Sequence, residues 1–202
     1  MFYDYKLRSE IITILIKWSI QMNFKYESNN LILRVLNSED APEVLSFLNK
    51  NKSEFERYEA IKPENYYTLT YQRNNLKGEF ASFKQLRYIR FYVFKKGNDN
   101  QIIGTISFSN ILPYPYSSAS IGYKFDKDFL HHGYATEAVA CAILAIFRDL
   151  DIHRVEAFVM PENTSSIRLL ERVGFENEGI CRKSISICGK FEDHFRYALI
   201  NN

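Results

Sequence analysis

The 202-residue sequence predicts a mixed α/β fold (α+β by some conventions): a mostly antiparallel sheet of six to seven strands with helices on both faces. Three observations predict it. Apolar patterning runs in the order strand, helices, three strands, helix, strand, helix, two strands. The length suits one domain, and size scaling gives a folded surface of roughly 10,000 Å² against about 34,000 Å² unfolded, so about 70% is buried. No internal repeat, low-complexity tract or Pro/Gly linker interrupts the chain, and its five prolines and eight glycines are spread as turn punctuation.

Residues 1–25 read as a helical N-terminal extension and 26–202 as one domain. The run Ile11–Ile20 (IITILIKWSI) contains Lys17 and is half as long as the roughly 20 apolar residues a membrane span needs. Asp4 and Glu10 spoil a basic leader, and the QMNF that follows offers no small-residue cleavage site. The expectation is a short amphipathic helix docked on the domain. A second reading starts the natural product at Met22 and makes the first 21 residues dispensable.

Leu31–Leu36 is a buried-strand pattern. Ser38-Glu39-Asp40 puts carboxylates in the first turn of a helix that runs through Val44, Leu45 and Leu48. Further helical stretches cover Phe55–Tyr58 and Tyr66–Leu86. Tyr88–Phe94 is aromatic and β-branched, Gly97-Asn98-Asp99-Asn100 is a hairpin-type turn, and Ile102–Leu112 is the returning strand. Ala119–Phe125 is the next antiparallel partner. Val139, Ile143, Ile146 and Leu150 then mark one helix face, beside the small residues Ala138, Cys141, Ala142 and Ala145. Val155–Met160 is a strand, Ser165–Arg172 a helix stopped by Gly174, and strands Phe175–Ile187 and Phe191–Ile200 close the chain.

With 46% apolar and 25% charged residues the chain is not disordered, and a net charge of +2 excludes nucleic-acid binding driven by bulk charge. Three cysteines, Cys141, Cys181 and Cys188, with no CxxC pair argue against a disulfide framework and a zinc site, and for a reducing cytoplasm. No metal ligand set is proposed.

The segment Leu130-His131-His132-Gly133-Tyr134-Ala135-Thr136-Glu137-Ala138 joins a strand to a helix start. Unpaired N–H groups and partial positive charge make such a start an anion site, and Gly133 and Ala135 let a ligand approach the backbone. Downstream, Pro161-Glu162-Asn163 and Ser166-Ile167-Arg168 are followed by Leu170-Glu171, Gly174-Phe175 and Glu178-Gly179. Together these runs resemble the GNAT superfamily of acyl-CoA-dependent N-acetyltransferases, and more narrowly its ribosomal-protein-alanine branch. Leu33-Arg34, the stretch Phe47–Tyr67 and Gly189–His194 are similar to that branch too, so the resemblance spans residues 26–200.

The resemblance implies acetyl-CoA as co-substrate. Leu130, His131, His132, Gly133, Tyr134, Ala135 and Thr136 would wrap the pyrophosphate. Ile121, Gly122, Tyr123, Lys124 and Phe125 would form a strand splayed from the next one, the fourth from the fifth, offering its free edge to the pantetheine. Asn163 and Ser166 would hydrogen-bond the pantetheine arm; locally, Asn163 also reads as a helix N-cap. Leu130 and His131 stand where relatives commonly carry Gln or Arg and Gly, and Leu170 stands where many carry a general-acid Tyr.

Glu156, on the strand beside the acetyl site, is the candidate base, directly or through water. At pH 7 deprotonating an α-amine costs only about 1 kcal/mol against about 4.6 kcal/mol for a lysine, so a site without a strong base suits an α-amine. Asp193, His194, Tyr114 and Tyr116 are candidate acceptor-cleft residues. The expected acceptor is a protein or peptide N-terminal α-amine, the expected assembly a monomer or homodimer, with no membrane partner. Polyamine, amino acid or aminoglycoside acceptors, and a non-catalytic acetyl-CoA-binding module, remain the alternative readings.

Overall fold

The computed structural model describes residues 22–202. The expected helix at Ile11–Ile20 lies outside the described residues. Eight strands form one sheet in the order β1-β2-β3-β4-β5-β6-β8-β7. They are β1 (Lys25–Glu27), β2 (Leu31–Arg34), β3 (Ile89–Lys95), β4 (Asn98–Leu112), β5 (Ser118–Phe125), β6 (Arg154–Val159), β7 (Glu176–Ile187) and β8 (Lys190–Ile200). Every pairing is antiparallel except β5 with β6. The strand beyond the expected six to seven is β1, three residues paired to β2. So short a segment carries no periodicity from which to read it.

The helices are α1 (Ala41–Lys50), α2 (Lys52–Glu56), α3 (Leu69–Lys84), α4 (Tyr134–Leu150) and α5 (Thr164–Val173). Residue alternation in the strands sorts the core into two clusters. Leu31, Leu33, Phe91 and Val93 pack with Val139, Ala142, Ile143 and Ile146 of α4. Ile32, Tyr92 and Phe94 pack on the other face with Val44, Phe47 and Leu48 of α1, Phe55 of α2 and Leu76 of α3. Both faces of these strands are covered, which is why they read as nearly continuous apolar runs.

Some boundaries move. The acidic start at Ser38–Asp40 is a 3-10 turn under a reciprocal cap from Asn37, and the α-helix begins at Ala41. Thr68 caps α3, so the Tyr66-Tyr67 pair precedes the helix. Asn98 pairs with Lys95, leaving Lys96-Gly97 as the turn; the polar run through Asn100 belongs to β4. Cys188-Gly189, both at positive φ, is the two-residue turn joining β7 to β8.

Candidate active site

The parallel pairing of β5 with β6 is short: Ser118 with Arg154, Ala119 with Val155, Ser120 with Glu156. Beyond it the strands part. Ile121–Phe125 stays bonded to β4 on its far side, and Ala157–Val159 to β8. Their facing edges line a cleft of about 740 Å³. Each edge leaves backbone N–H and C=O groups open to an extended ligand. The Tyr123 hydroxyl crosses the divergence to hydrogen-bond Ser166 Oγ at 2.8 Å, and burial pushes its pKa up. This is the splay expected from the sequence, and all of Ile121–Phe125 lines it.

One end of the cleft is an anion site. Asp126, 1% exposed, accepts from the Asp128 N–H at 3.0 Å and from Lys50 Nζ at 2.7 Å, which fixes the turn Lys127–Phe129. The chain then passes His131 at φ +66° and Gly133 at φ +80° into α4. Among the described residues no side chain caps α4, so the N–H groups of its first turn are left without a side-chain cap. A Cβ built on Gly133 would meet nothing within 4 Å, so this approach is open. Leu130, His131, Gly133, Ala135 and Thr136 line the cleft together with Lys127, Arg168 and Arg172, and Arg172 lies 3.4 Å from Thr136 Oγ1. Unpaired N–H groups, the helix dipole and three cations fit a phosphate group.

Two residues expected in this loop are absent from the lining. His132 bonds the Leu130 carbonyl through Nδ1 at 2.7 Å and stacks on Tyr134, centroids 5.8 Å apart. Conversely, the three cations were missed in the sequence. Arg168 and Arg172, four apart on one helix, were the available signal. Asn163 is an N-cap, accepting from the Ser166 N–H at 3.1 Å and the Ser165 hydroxyl at 2.9 Å, and both Asn163 and Ser166 line the cleft.

The other end is polar and lies on the α1–α3 face of the sheet. Register aligns Arg90, Ser107 and Gly122 across β3, β4 and β5, and beside them Tyr92, Thr105 and Lys124. Gly122 leaves the floor open. Phe55, Tyr58, Glu59, Lys62 and Tyr66 form a wall, and His194 of β8 closes the lining. Glu59 is shared by Lys124 at 2.8 Å and Lys62 at 3.0 Å. Burial lowers the Lys124 pKa to about 8 against the pull of Glu59. Burial also works to raise Glu59, but the two lysines outweigh it and hold the carboxyl below its usual range. Arg90 is bound by Glu79 at 2.9 Å and by the Tyr88 hydroxyl.

Glu156 is not brought into the lining. Arg154 holds its carboxylate at 2.8 Å and also binds Glu178. The two residues are two apart on β6 and so share a face, where pairing is the low-energy outcome. Tyr114 and Tyr116 are exposed outside the lining, and Asp193 accepts from the Lys183 N–H at 2.7 Å. Leu170 lines the cleft with an apolar side chain. Among the described residues no cluster of three or more His, Cys, Asp or Glu could hold a metal ion, and no helix is long and apolar enough to cross a membrane.

Comparison with known proteins agrees with this geometry. The family described as Acetyltransferase (GNAT) domain matches residues 30–176. The probable N-acetyltransferase YjcK of Bacillus subtilis is 35% identical over 175 residues, covering 87% of this chain and 96% of its own. The [ribosomal protein uS5]-alanine N-acetyltransferase of Escherichia coli is 30% identical over 174 residues, covering 85% and 88%. Among solved structures, the ribosomal-protein-S5-alanine acetyltransferase of Vibrio fischeri superposes with a TM-score of 0.83 at 27% identity, covering 89% of this chain and 98% of its own. Mycobacterium smegmatis RimJ in complex with CoA-disulfide gives 0.79 at 26% identity, covering 84% and 81%. An open splay between two parallel strands, an uncapped helix start beside it and these relatives establish that the chain belongs to the GNAT acetyltransferase family and is an N-acetyltransferase enzyme related to the ribosomal-protein acetyltransferases.

Proposed function

We propose that this enzyme transfers the acetyl group of acetyl-CoA to the N-terminal α-amine of a protein or peptide, by direct attack while both substrates are bound. The observation that carries the reading is the continuity of the cleft, from the α4 N-terminus through the splay to the polar floor on the opposite sheet face. Acetyl-CoA supplies an activated thioester. Gly133, Ala135 and Thr136 would hold its pyrophosphate through backbone N–H groups, aided by Lys127, Arg168 and Arg172. The free edges of β5 and β6 would take the pantetheine amides, with Asn163 and Ser166 beside them. An acceptor entering from the Tyr58–Tyr66 side would then reach the thioester where β5 and β6 part.

An α-amine suits this site because it needs little help to lose its proton. Its pKa near 8 leaves about a tenth neutral at pH 7, a cost of about 1 kcal/mol that water can meet. Glu156, held by Arg154 outside the cleft, would act only through an intervening water. The relation to the E. coli enzyme, whose name specifies an alanine of a ribosomal protein, supports the α-amine over a lysine side chain. The test is a mass-shift screen of acetyl-CoA with N-terminal peptides, polyamines and aminoglycosides. A gain of about 42 Da on the peptide N-terminus, an acetyl group replacing one amine hydrogen, supports the proposal. Acetylation confined to polyamines or aminoglycosides overturns it.

A further inference from the structure

Resting on the amine-acetylation reading above, we infer that the acceptor end of the cleft selects an amine whose own chain carries a carboxylate, read by Lys62, Arg90 and Lys124. Two sources supply that chemistry: an acidic side chain close behind a peptide N-terminus, and the α-carboxylate of a free amino acid.

Unmatched donors are the basis. Buried polar groups in folded proteins nearly all have partners, so donors left over in a cleft describe the ligand that completes them. Lys124 has three N–H donors and a side chain only 15% exposed, yet its one hydrogen-bond acceptor among the described residues is Glu59. Among the described residues, Lys62 has its single ion pair with the same carboxylate. Arg90 gives Nη1 to Glu79 and Nη2 to Tyr88, and its Nε is buried beneath the cleft surface, so Arg90 lends this end its charge and the lysines supply the free donors. Thr105 and Ser107 add hydroxyls on the floor between these cations.

Charge leads to the same ligand. The acceptor end is lined by three cations and two carboxylates, Glu54 and Glu59, and Glu79 pairs with Arg90 from outside the lining. Glu54 is exposed and screened by solvent, and Glu59 is already shared by two lysines. A polyamine brings only donors and positive charge, so it would leave these donors unmatched. A carboxylate brings acceptors only, and its bonds to ammonium and guanidinium groups are charge-assisted. Tyr58 and Tyr66 on the wall leave room for the apolar part of the chain that joins the amine to that carboxylate.

The experiment offers the full-length enzyme, saturated with acetyl-CoA, a matched set of acceptors. The set is Ala-Glu-Ala-amide, Ala-Ala-Ala-amide, Ala-Lys-Ala-amide, free glutamate, free alanine and spermidine. We expect kcat/KM for the acidic peptide to exceed that for the basic one at least tenfold. Lys62→Met should shrink that ratio severalfold through KM, with acetyl-CoA affinity unchanged, and Lys124→Met should shrink the ratio as well. Equal rates on the three peptides would overturn the inference and leave the acetyltransferase reading standing. Free amino acids accepted while peptides are refused would keep the carboxylate and remove the protein N-terminus. A preference for spermidine overturns both. Variants that lose acetyl-CoA affinity but keep the peptide ratio would give these donors to the co-substrate and overturn the inference. Calorimetric titration of the CoA-bound enzyme makes the answer independent of turnover: acidic peptide bound no more tightly than basic peptide overturns it.

Discussion

At the residue scale, two substitutions separate binding from chemistry. Gly133 sits at φ +80° with open space where its Cβ would be, at the uncapped start of α4. Gly133→Asp keeps a residue that tolerates positive φ but puts an anion where phosphate is to bind. Acetyl-CoA affinity should fall at least tenfold, about 1.4 kcal/mol, in a mutant that still folds. Unchanged calorimetric affinity would remove the anion site from this loop. Glu156→Gln tests the proton. Loss of a general base costs about 10²–10⁴-fold in turnover. Since Arg154 holds this carboxylate outside the cleft lining, turnover should instead stay within about threefold of wild type, a range far below base loss. A loss above a hundredfold, recovered at high pH, would restore Glu156 as the base.

At the element scale, β5 is positioned by its neighbours. Gly104 on β4 faces Phe125 so closely that an added Cβ would lie 2.3 Å from Phe125 Cδ1. Gly104→Ala must displace the Phe125 ring at this end of β5, and overpacking of this kind costs about 1–3 kcal/mol. Urea denaturation should show that loss, together with weaker acetyl-CoA binding because the free edge of β5 moves. Near the N-terminus of α4, Glu137 ties the β1–β2 turn to the helix, accepting from Ser28 Oγ at 2.7 Å, Asn30 N at 2.7 Å and Asn30 Nδ2 at 2.9 Å. Burial works to raise its pKa, but the bonds from Asn30 and Ser28 outweigh it and leave the net value lowered. A carboxylate with a lowered folded pKa contributes stability that is present above its unfolded pKa and lost as pH falls through the folded value. Glu137→Gln should therefore flatten part of the acid limb of the stability–pH curve, read as melting temperature from pH 6 to below pH 4. An unchanged acid limb would mean the tie contributes nothing.

At the scale of the whole molecule, the sheet separates two packing clusters that serve different ends of the cleft. Leu76, fully buried on α3, belongs to the cluster behind the acceptor wall, and α4 belongs to the other. Leu76→Ala should cost about 2–5 kcal/mol. Below its lowered melting temperature it should keep acetyl-CoA affinity while its acceptor KM rises; equal losses at both ends would mean the clusters act as one body. Element order, the close-packed face of α4 and the glycine at its start are legible in the chain's local patterns, because period, propensity and φ preference are local properties. The family resemblance also pointed to Ile121–Phe125, Gly133, Asn163 and Ser166, which line the cleft. Tertiary structure alone decided the rest. Whether Glu156 faces a substrate or Arg154 depends on where β5 and β6 part, which no run of adjacent residues encodes. Bringing Lys62, Arg90 and Lys124 to one end of the cleft took a strand register and a loop from before α3, because side chains tens of residues apart meet only once the sheet is assembled.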